Sequence, residues 1–281
     1  MEELRPYILL ISKPYGITSF KFTEKVKKTL HAKKAGHTGT LDPIATGLMV
    51  IALNGATKFI PFINTDTKEY VMEVRFGIET DTCDISGNIT KRGGKAPALS
   101  DIQRAVKHFT GKIKQTPPLY SAKKVNGKKL YKYARNGESV KAKESEVTIY
   151  GIDILSFKNE RLALRVLCSK GTYMRSLARD MGRFLGTYAT LGAIARTRVG
   201  KFKIEDATFL SRIEKGIRKG FVPLKDALDF PELIVSGEGF SNGLPVKTDF
   251  VKVVDKNGKF IGIGGVDKGC IRPKRVLNEN L

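Results

Sequence analysis

A change of hydrophobic period constrains this chain more than any other feature. Leu162, Leu164, Val166 and Cys168 alternate with their neighbours, as in a strand with one buried face. Gly171 and Thr172 break that pattern, and Met174, Leu177, Ala178, Met181 and Leu185 then recur at helical spacing. The same switch occurs near the N-terminus: Tyr7–Ser12 is an apolar run of strand length, the SKPYG turn follows, and Phe22, Val26 and Leu30 lie one helical turn apart. From Val71 to Phe76 the chain alternates again, with Met72, Val74 and Phe76 on one face and Glu73 and Arg75 on the other. Extending the period backwards puts Tyr70 on the apolar face. Ser100 and Gln103 have the form of a capping box for a helix that buries Ile102, Ala105, Val106 and Phe109. Strands and helices interspersed in this way, without repeats, predict an α/β chain. After Pro223 the composition shifts, and from about Phe230 short strands are expected. Val251–Val254 and Phe260–Val266 flank a DKNG hairpin turn at Asp255–Gly258, within an appended β module of roughly fifty residues.

The chain has 281 residues, 41% of them hydrophobic, enough for one large domain and a small appendage. Lys and Arg number 50 against 28 Asp and Glu, a formal charge of +22, far beyond what solubility requires. A polyanionic partner is implied, and nucleic acid fits better than membrane. The longest apolar runs, such as Leu48–Leu53, are too short to span a bilayer. Tyr7–Ile11 is too short for a secretory core and no small-residue cleavage site follows it, so a cytoplasmic protein is expected. Cys83, Cys168 and Cys270 lie far apart without a CxxC pair, and are expected to be buried, reduced thiols.

No metal is expected: His31, His37 and His108 fall in no spacing that ligates one. TDTCDISGN, from Thr80 to Asn88, looks superficially like a calcium loop, but Asp81 and Asp84 are three apart where alternate positions are needed. It reads as a polar turn after a strand. Neither a Walker lysine loop nor GxGxxG is present.

The chemistry concentrates in GHTGTLDPIATG, Gly36–Gly47, where one carboxylate, Asp42, stands in a Gly- and Thr-rich turn without metal-binding companions. Three glycines allow another molecule to approach closely, and Pro43 pushes Asp42 towards an extended conformation that presents its carboxylate from a loop. An isolated Asp-Pro is a common turn pair. The surrounding letters make this acid look like a reagent.

Two further segments invite function. Between Leu119 and Lys143, Lys123, Lys124, Lys128, Lys129, Lys132, Arg135, Lys141 and Lys143 are offset by a single acid, Glu138, and interleaved with Tyr120, Tyr131 and Tyr133. Cations neutralise phosphates and aromatic faces stack on unpaired bases, so this composition suits a flexible arm that grips RNA; a solvated surface hairpin is the plainer alternative. In SKGTYMRSLARDMG, Tyr173 and Arg175 occupy the first turn of a helix. An arginine there is unfavourable unless an acid or phosphate compensates it, and Asp42 is a candidate.

SKPYGITS, GHTGTLDPIATG, KEY at Lys68–Tyr70 and CSKGTYMRS stand in the order of the successive motifs of the TruB-type tRNA pseudouridine-55 synthases, whose relatives include dyskerin. The C-terminal GKFIGIGGVDKGCIRPKRVL resembles a PUA RNA-binding module. The resemblance covers nearly the whole chain. It implies an α/β (α+β) pseudouridine synthase fold with a central mixed, largely antiparallel sheet, plus a small β-barrel-like PUA domain. The expected boundaries are 1–229 for the catalytic domain, with 119–143 as a basic insertion, and 230–281 for the PUA-like domain.

By the same resemblance Asp42 is the essential aspartate. Tyr70 stacks on the target base and has a proton-transfer role, and Arg175 pairs with the catalytic acid. His37 helps hold flipped-out bases, while Tyr173 and Ile194 contact substrate; Ile194 stands where other members carry Leu. Lys123, Lys124, Lys128 and Lys129 of the insertion are expected to bind the RNA. The implied activity is a stand-alone isomerase that converts the T-arm uridine of tRNA to pseudouridine, with no cofactor, no membrane association, no obligatory protein partner and a monomeric state. Asp42 could attack C1′ or C6, or remove a ribose proton. A guide-RNA-dependent, dyskerin-like synthase and a non-catalytic RNA chaperone are the alternatives.

Overall fold

In a computed structural model that describes residues 6–121, 123–136, 138, 140, 142–236, 239–240, 248–267 and 270–277, the first apolar run forms strand β1, Tyr7–Lys13, with Ile8–Ile11 buried on both faces as the unbroken pattern requires. Helix α1, Ser19–Thr29, follows the SKPYG turn; Thr18 caps it by accepting the Lys21 N–H, and Phe22 and Val26 point inward. Strand β2, Ala35–His37, runs antiparallel to β3, Thr46–Leu53, with His37 opposite Ile51. A 3-10 helix, Asn54–Phe62, leads to β4, Thr67–Phe76, and then to the short strands β5, Ile78–Thr80, and β6, Ile89–Arg92.

Helix α2, Leu99–Phe109, buries Ile102, Ala105 and Phe109, and Val106 is half-buried. The expected Ser100–Gln103 capping box does not form. The Ala98 carbonyl already accepts the Asp101 and Ile102 N–H groups, so the helix begins at Leu99 and Ser100 lies inside its first turn. Next come β7, Gly111–Gln115, a small hairpin of β8, Lys124–Val125, and β9, Lys128–Lys129, and helix α3, Leu130–Arg135. Long strands β10, Ser145–Lys158, and β11, Arg161–Ser169, precede α4, Met174–Phe184, and β12, Ala189–Val199. The remainder comprises β13, Phe202–Lys203; α5, Leu210–Glu214; β14, Phe221–Pro223; α6, Leu224–Ala227; and β15–β19, at Glu232–Ser236, Gly239–Phe240, Phe250–Asp255, Phe260–Asp267 and Cys270–Val276.

These elements form two compact units. The first takes the described residues up to Pro43, Leu48–Thr65 and those from Lys201 onwards; the second takes Ile44–Gly47 and Asp66–Gly200. In the first, strands run in the order β14–β1–β3, with β2 on β3. Its C-terminal strands make a separate five-stranded sheet, β16–β15–β17–β18–β19. The Asp255–Gly258 turn forms as expected: the Asp255 carboxylate accepts the Asn257 and Lys259 N–H groups at 2.8 and 2.9 Å. Within this unit Phe62 meets Phe250 and Phe59 meets Phe260, edge to face. Residues 237–238, 241–247, 268–269 and 278–281 of the expected PUA-like module lie outside the described residues.

The second unit is organised by an antiparallel array, β12–β4–β11–β10–β7, joined at Ala195 and Arg196 by the parallel segment Thr46–Gly47. Its sheet is therefore mixed and largely antiparallel. The core comes from alternate positions: Tyr70, Met72, Val74 and Phe76 on β4, and Leu162, Leu164, Val166 and Cys168 on β11. Strand β4 begins four residues before the alternation that signals it. Helix α4 buries Met174, Leu177, Ala178 and Met181, while Leu185 caps its end half-buried. Cys83 and Cys168 are buried; Cys270 is exposed, because β19 ends the order of its sheet and leaves nearly all its residues in solvent.

Candidate active site

In the first unit, the Asp42 segment is shaped by buried polar side chains. Lys13, fully buried at the end of β1, donates from Nζ to the carbonyls of Pro14, Ile17 and Pro43 at 2.9, 2.8 and 3.4 Å. The Gly16 N–H donates to the same Pro43 carbonyl at 2.8 Å. Ser19 grips Leu41 twice: its hydroxyl donates to the Leu41 carbonyl and accepts the Leu41 N–H, at 2.9 and 2.7 Å. Residues 41 and 43 are thus both tied down, and Asp42 stands half-exposed between buried Leu41 and exposed Pro43. His37, at the end of β2, is also half-exposed.

In the second unit, Tyr70 lies on β4 directly opposite Arg196 of β12 and Val166 of β11. Arg196 is completely buried and hydrogen-bonds Tyr70. Burial lowers its proton affinity, and the tyrosine works against that shift. Lys68 sits on the same face, where burial and then the Arg196 guanidinium hold its pKa below the ordinary lysine value. Glu69 points the other way and accepts the Thr197 hydroxyl at 2.7 Å. The KEY triplet therefore places a cation and a tyrosine on one face and an acid on the opposite one.

Gly47 closes the Asp42 motif for a steric reason. Its φ is +96°, and a Cβ there would stand 2.3 Å from the Arg196 carbonyl oxygen, so only glycine lets this segment pair with β12. Ile194, half-buried on β12 opposite Met72, presents its carbonyl to the Thr46 hydroxyl at 3.3 Å.

Tyr173 and Arg175 open α4. Gln115, buried at the end of β7, clamps the Tyr173 backbone from both sides: its Oε1 accepts the N–H at 3.0 Å and its Nε2 donates to the carbonyl at 3.3 Å. Arg175 is buried, donates to the carbonyls of Thr82 and Tyr120 at 3.2 and 3.0 Å, and faces Asp84 at 3.7 Å. Asp84 is thus an acid that compensates an arginine in a first helical turn. The TDTCDISGN segment is a polar turn, as expected, with Asp84 Oδ1 accepting from Thr82 Oγ1 and the Ser86 N–H.

The basic insertion is a hairpin followed by a helix. Asn126 and Gly127 take positive φ, +50° and +76°, in the two-residue turn between β8 and β9. Leu130 is fully buried, and the Tyr133 hydroxyl donates to the Val125 carbonyl at 3.1 Å. The lysines divide into two kinds. Lys128 lies 2.7 Å from Glu138 and over the Tyr133 ring, and holds the Glu138 carboxyl below the usual range. Lys123 donates to the Lys143 carbonyl and to Ser145. Lys124 and Lys132 are exposed, and Lys129 is half-exposed above Tyr131. Lys141 lies outside the described residues. An open groove of about 1430 Å³ lies beside the arm, lined by Tyr120, Glu138 and Lys143 and by Glu79, Cys83 and Arg179; none of the expected site residues lines it.

Lys13, Gln115 and Arg196 escaped the sequence reading, because a buried polar residue leaves no periodic signature. Arg196 had one usable signal: it stands on a strand carrying Ile194 and Val199, where a charge needs a partner.

The fold and the motifs agree with what the chain resembles. Residues 27–174 match the TruB family pseudouridylate synthase N-terminal domain, and residues 239–277 match the C-terminal domain of pseudouridine synthase II TruB. The chain is 39% identical to tRNA pseudouridine synthase B of Caldanaerobacter subterraneus, covering 96% of this chain and 98% of that protein. It is 38% identical to the protein of the same name from Pseudomonas aeruginosa, covering 97% and 96%. A chain in the crystal structure of a Cbf5-Nop10-Gar1 complex superposes with a TM-score of 0.72 over 97% of this chain and 85% of that one, at 24% identity, which shows a shared fold. The chain belongs to the TruB family of pseudouridine synthases.

Proposed function

We propose that this chain is a stand-alone isomerase that converts the T-arm uridine of tRNA to pseudouridine. What supports the reading is that relatives matching it from end to end carry the name tRNA pseudouridine synthase B. A uridine in a folded loop must be extruded before it can react, at a cost of a few kcal/mol that stacking and hydrogen bonds in a pocket offset. Tyr70 is the proposed stacking partner of the extruded base, His37 holds neighbouring bases, and Tyr173 and Ile194 contact the nucleotide. Asp42 is the proposed reagent and Arg175 its cation. The reaction breaks the N1–C1′ bond, turns the base and joins C5 to C1′; the C5 proton is released to water and N1 takes one up, so nothing is oxidised or reduced.

Lys123, Lys124, Lys128 and Lys129 of the arm bind the T-arm backbone in this reading. Residues 230–281 form a PUA-like module that extends the RNA-binding surface beyond a catalytic domain ending at 229. The protein acts as a monomer in the cytoplasm without an obligatory protein partner. Tritium release from a T-arm stem-loop labelled at C5 of uridine tests the proposal. The wild type should release tritium unaided, and Asp42→Asn should lose at least about a thousandfold in rate while still binding the RNA. Release only when guide RNA and partner proteins are added would replace the proposal with a guide-dependent synthase. Binding without release under either condition would leave an RNA-binding role.

A further inference from the structure

The two most exposed large hydrophobic side chains among the described residues are Tyr15, at 64%, and Phe20, at 71%. A single exposed ring needs no explanation, but these two are tied to the same functional segment. Tyr15 belongs to the turn whose carbonyls Lys13 gathers, and its neighbour Gly16 donates to the Pro43 carbonyl, one residue after Asp42. Phe20 follows Ser19, whose hydroxyl holds Leu41, one residue before Asp42. The hydrogen bonds that shape the Asp42 segment therefore also tie it to the backbone that carries both rings. Beyond Phe20, the outer face of α1 carries exposed Lys21, Lys25 and Lys28.

We propose that Tyr15 and Phe20 are stacking platforms flanking the Asp42 segment, on which unpaired nucleotides next to the target uridine rest. The inference builds on the function proposed above. Three features favour RNA as the occupant: the residues next to both rings are hydrogen-bonded to the residues on either side of Asp42, lysines continue the surface, and the chain carries a net charge of +22. Every base has a π-face, so a ring fixed beside the reacting position can set the path of the strand without reading its sequence. Lysines further along the helix then meet the phosphates. Tyr15 and Phe20 are positioning residues in this scheme and take no part in bond making.

The test measures stem-loop binding over a salt series, together with isomerisation kinetics, for Tyr15→Ala, Phe20→Ala, Tyr15→Phe, Phe20→Tyr and Phe20→Leu. Each alanine should raise Kd and KM about tenfold, leave kcat near the wild-type value, and leave the slope of log affinity against log salt unchanged, because no phosphate contact is lost. The ring-for-ring exchanges should restore affinity and Phe20→Leu should not. Alanine variants with wild-type Kd and KM would overturn the inference, as would full restoration by leucine or a loss confined to kcat. So would a defect seen only in self-association by sedimentation, which would make the rings a contact between copies of the chain. A wild type that binds and isomerises the stem-loop while the alanine variants match it removes this inference alone; a wild type that does neither overturns both it and the proposed function.

Discussion

The Asp42 segment and the basic arm are both held by lysines, and they use them in opposite ways. Lys13 is wholly buried and spends its three N–H donors on three backbone carbonyls, so its charge acts inward on the shape of one loop. Lys128 lies at the surface, paired with one carboxylate and one ring, and its neighbours Lys124 and Lys132 face solvent. A buried cation without its acceptors costs several kcal/mol, so the first arrangement permits one geometry only. A pair open to water is screened and holds its partners weakly, so the second can rearrange when a partner arrives. Rigidity accompanies the candidate reagent and adaptability accompanies the candidate grip.

The sharpest way to break this contrast is Lys13→Met, which removes three donors and leaves the Pro14 and Ile17 carbonyls to find others, while the Pro43 carbonyl keeps the Gly16 N–H. A loss of about 2–4 kcal/mol is expected from urea unfolding, with RNA affinity reduced along with it. A variant as stable as the wild type would show that the Asp42 segment does not depend on Lys13. Ser19→Ala should cost about 1–2 kcal/mol, since both a donor and an acceptor for Leu41 disappear; an unchanged midpoint would mean that water replaces the hydroxyl.

On the arm, stability should barely move and binding should. Lys124→Ala is expected to reduce the slope of log affinity against log salt by about 1. Lys128→Ala should change it less, because Glu138 already neutralises that ammonium. Equal slopes for the two variants would show that the Lys128–Glu138 pair opens when RNA binds. A last effect, confined to alkaline pH, concerns Cys168, outside both regions. Burial raises its thiol from an ordinary 9.0 to about 11, so the unfolded chain loses that proton first and stability falls as pH rises from about 9 towards 11. In Cys168→Val the alkaline loss should be shallower by about 1–2 kcal/mol in unfolding measured at pH 8 and 11; parallel curves would assign the loss to other groups.

Much of the framework was legible because the backbone imposes a period. Tyr70 was placed on the buried face of its strand from Met72, Val74 and Phe76, and the DKNG turn announced its hairpin. Asp42 stands out in the sequence because it is the one acid in a run rich in glycine and threonine. Illegible features were those decided by a single distant hydrogen bond. Nothing around Gln115 announces that it holds Tyr173, 58 positions on. The Asp84 partner of Arg175 sits in a turn whose letters suggested a calcium loop. The arm showed its composition in full and its internal pairing not at all, since Lys123 and Lys128 read the same as Lys124. The helix cap at Ala98 shows a further limit: a motif that fits locally loses when a neighbouring carbonyl has already started the helix.

The root of the arm has a mechanical consequence. Gln115 grips Tyr173, the Thr116 carbonyl accepts from Ser176 at 2.8 Å and from Arg179 at 3.0 Å, and the Tyr120 carbonyl accepts from Arg175. The start of one helix therefore pins the approach to the insertion at Gln115 and Thr116 and the insertion itself at Tyr120, as a bracket pins the base of a lever. Whatever swing the arm has must start beyond Tyr120, so its distal part can be lengthened, trimmed or exchanged as a replaceable tool while the mount, and with it Tyr173 and Arg175, stays where it is.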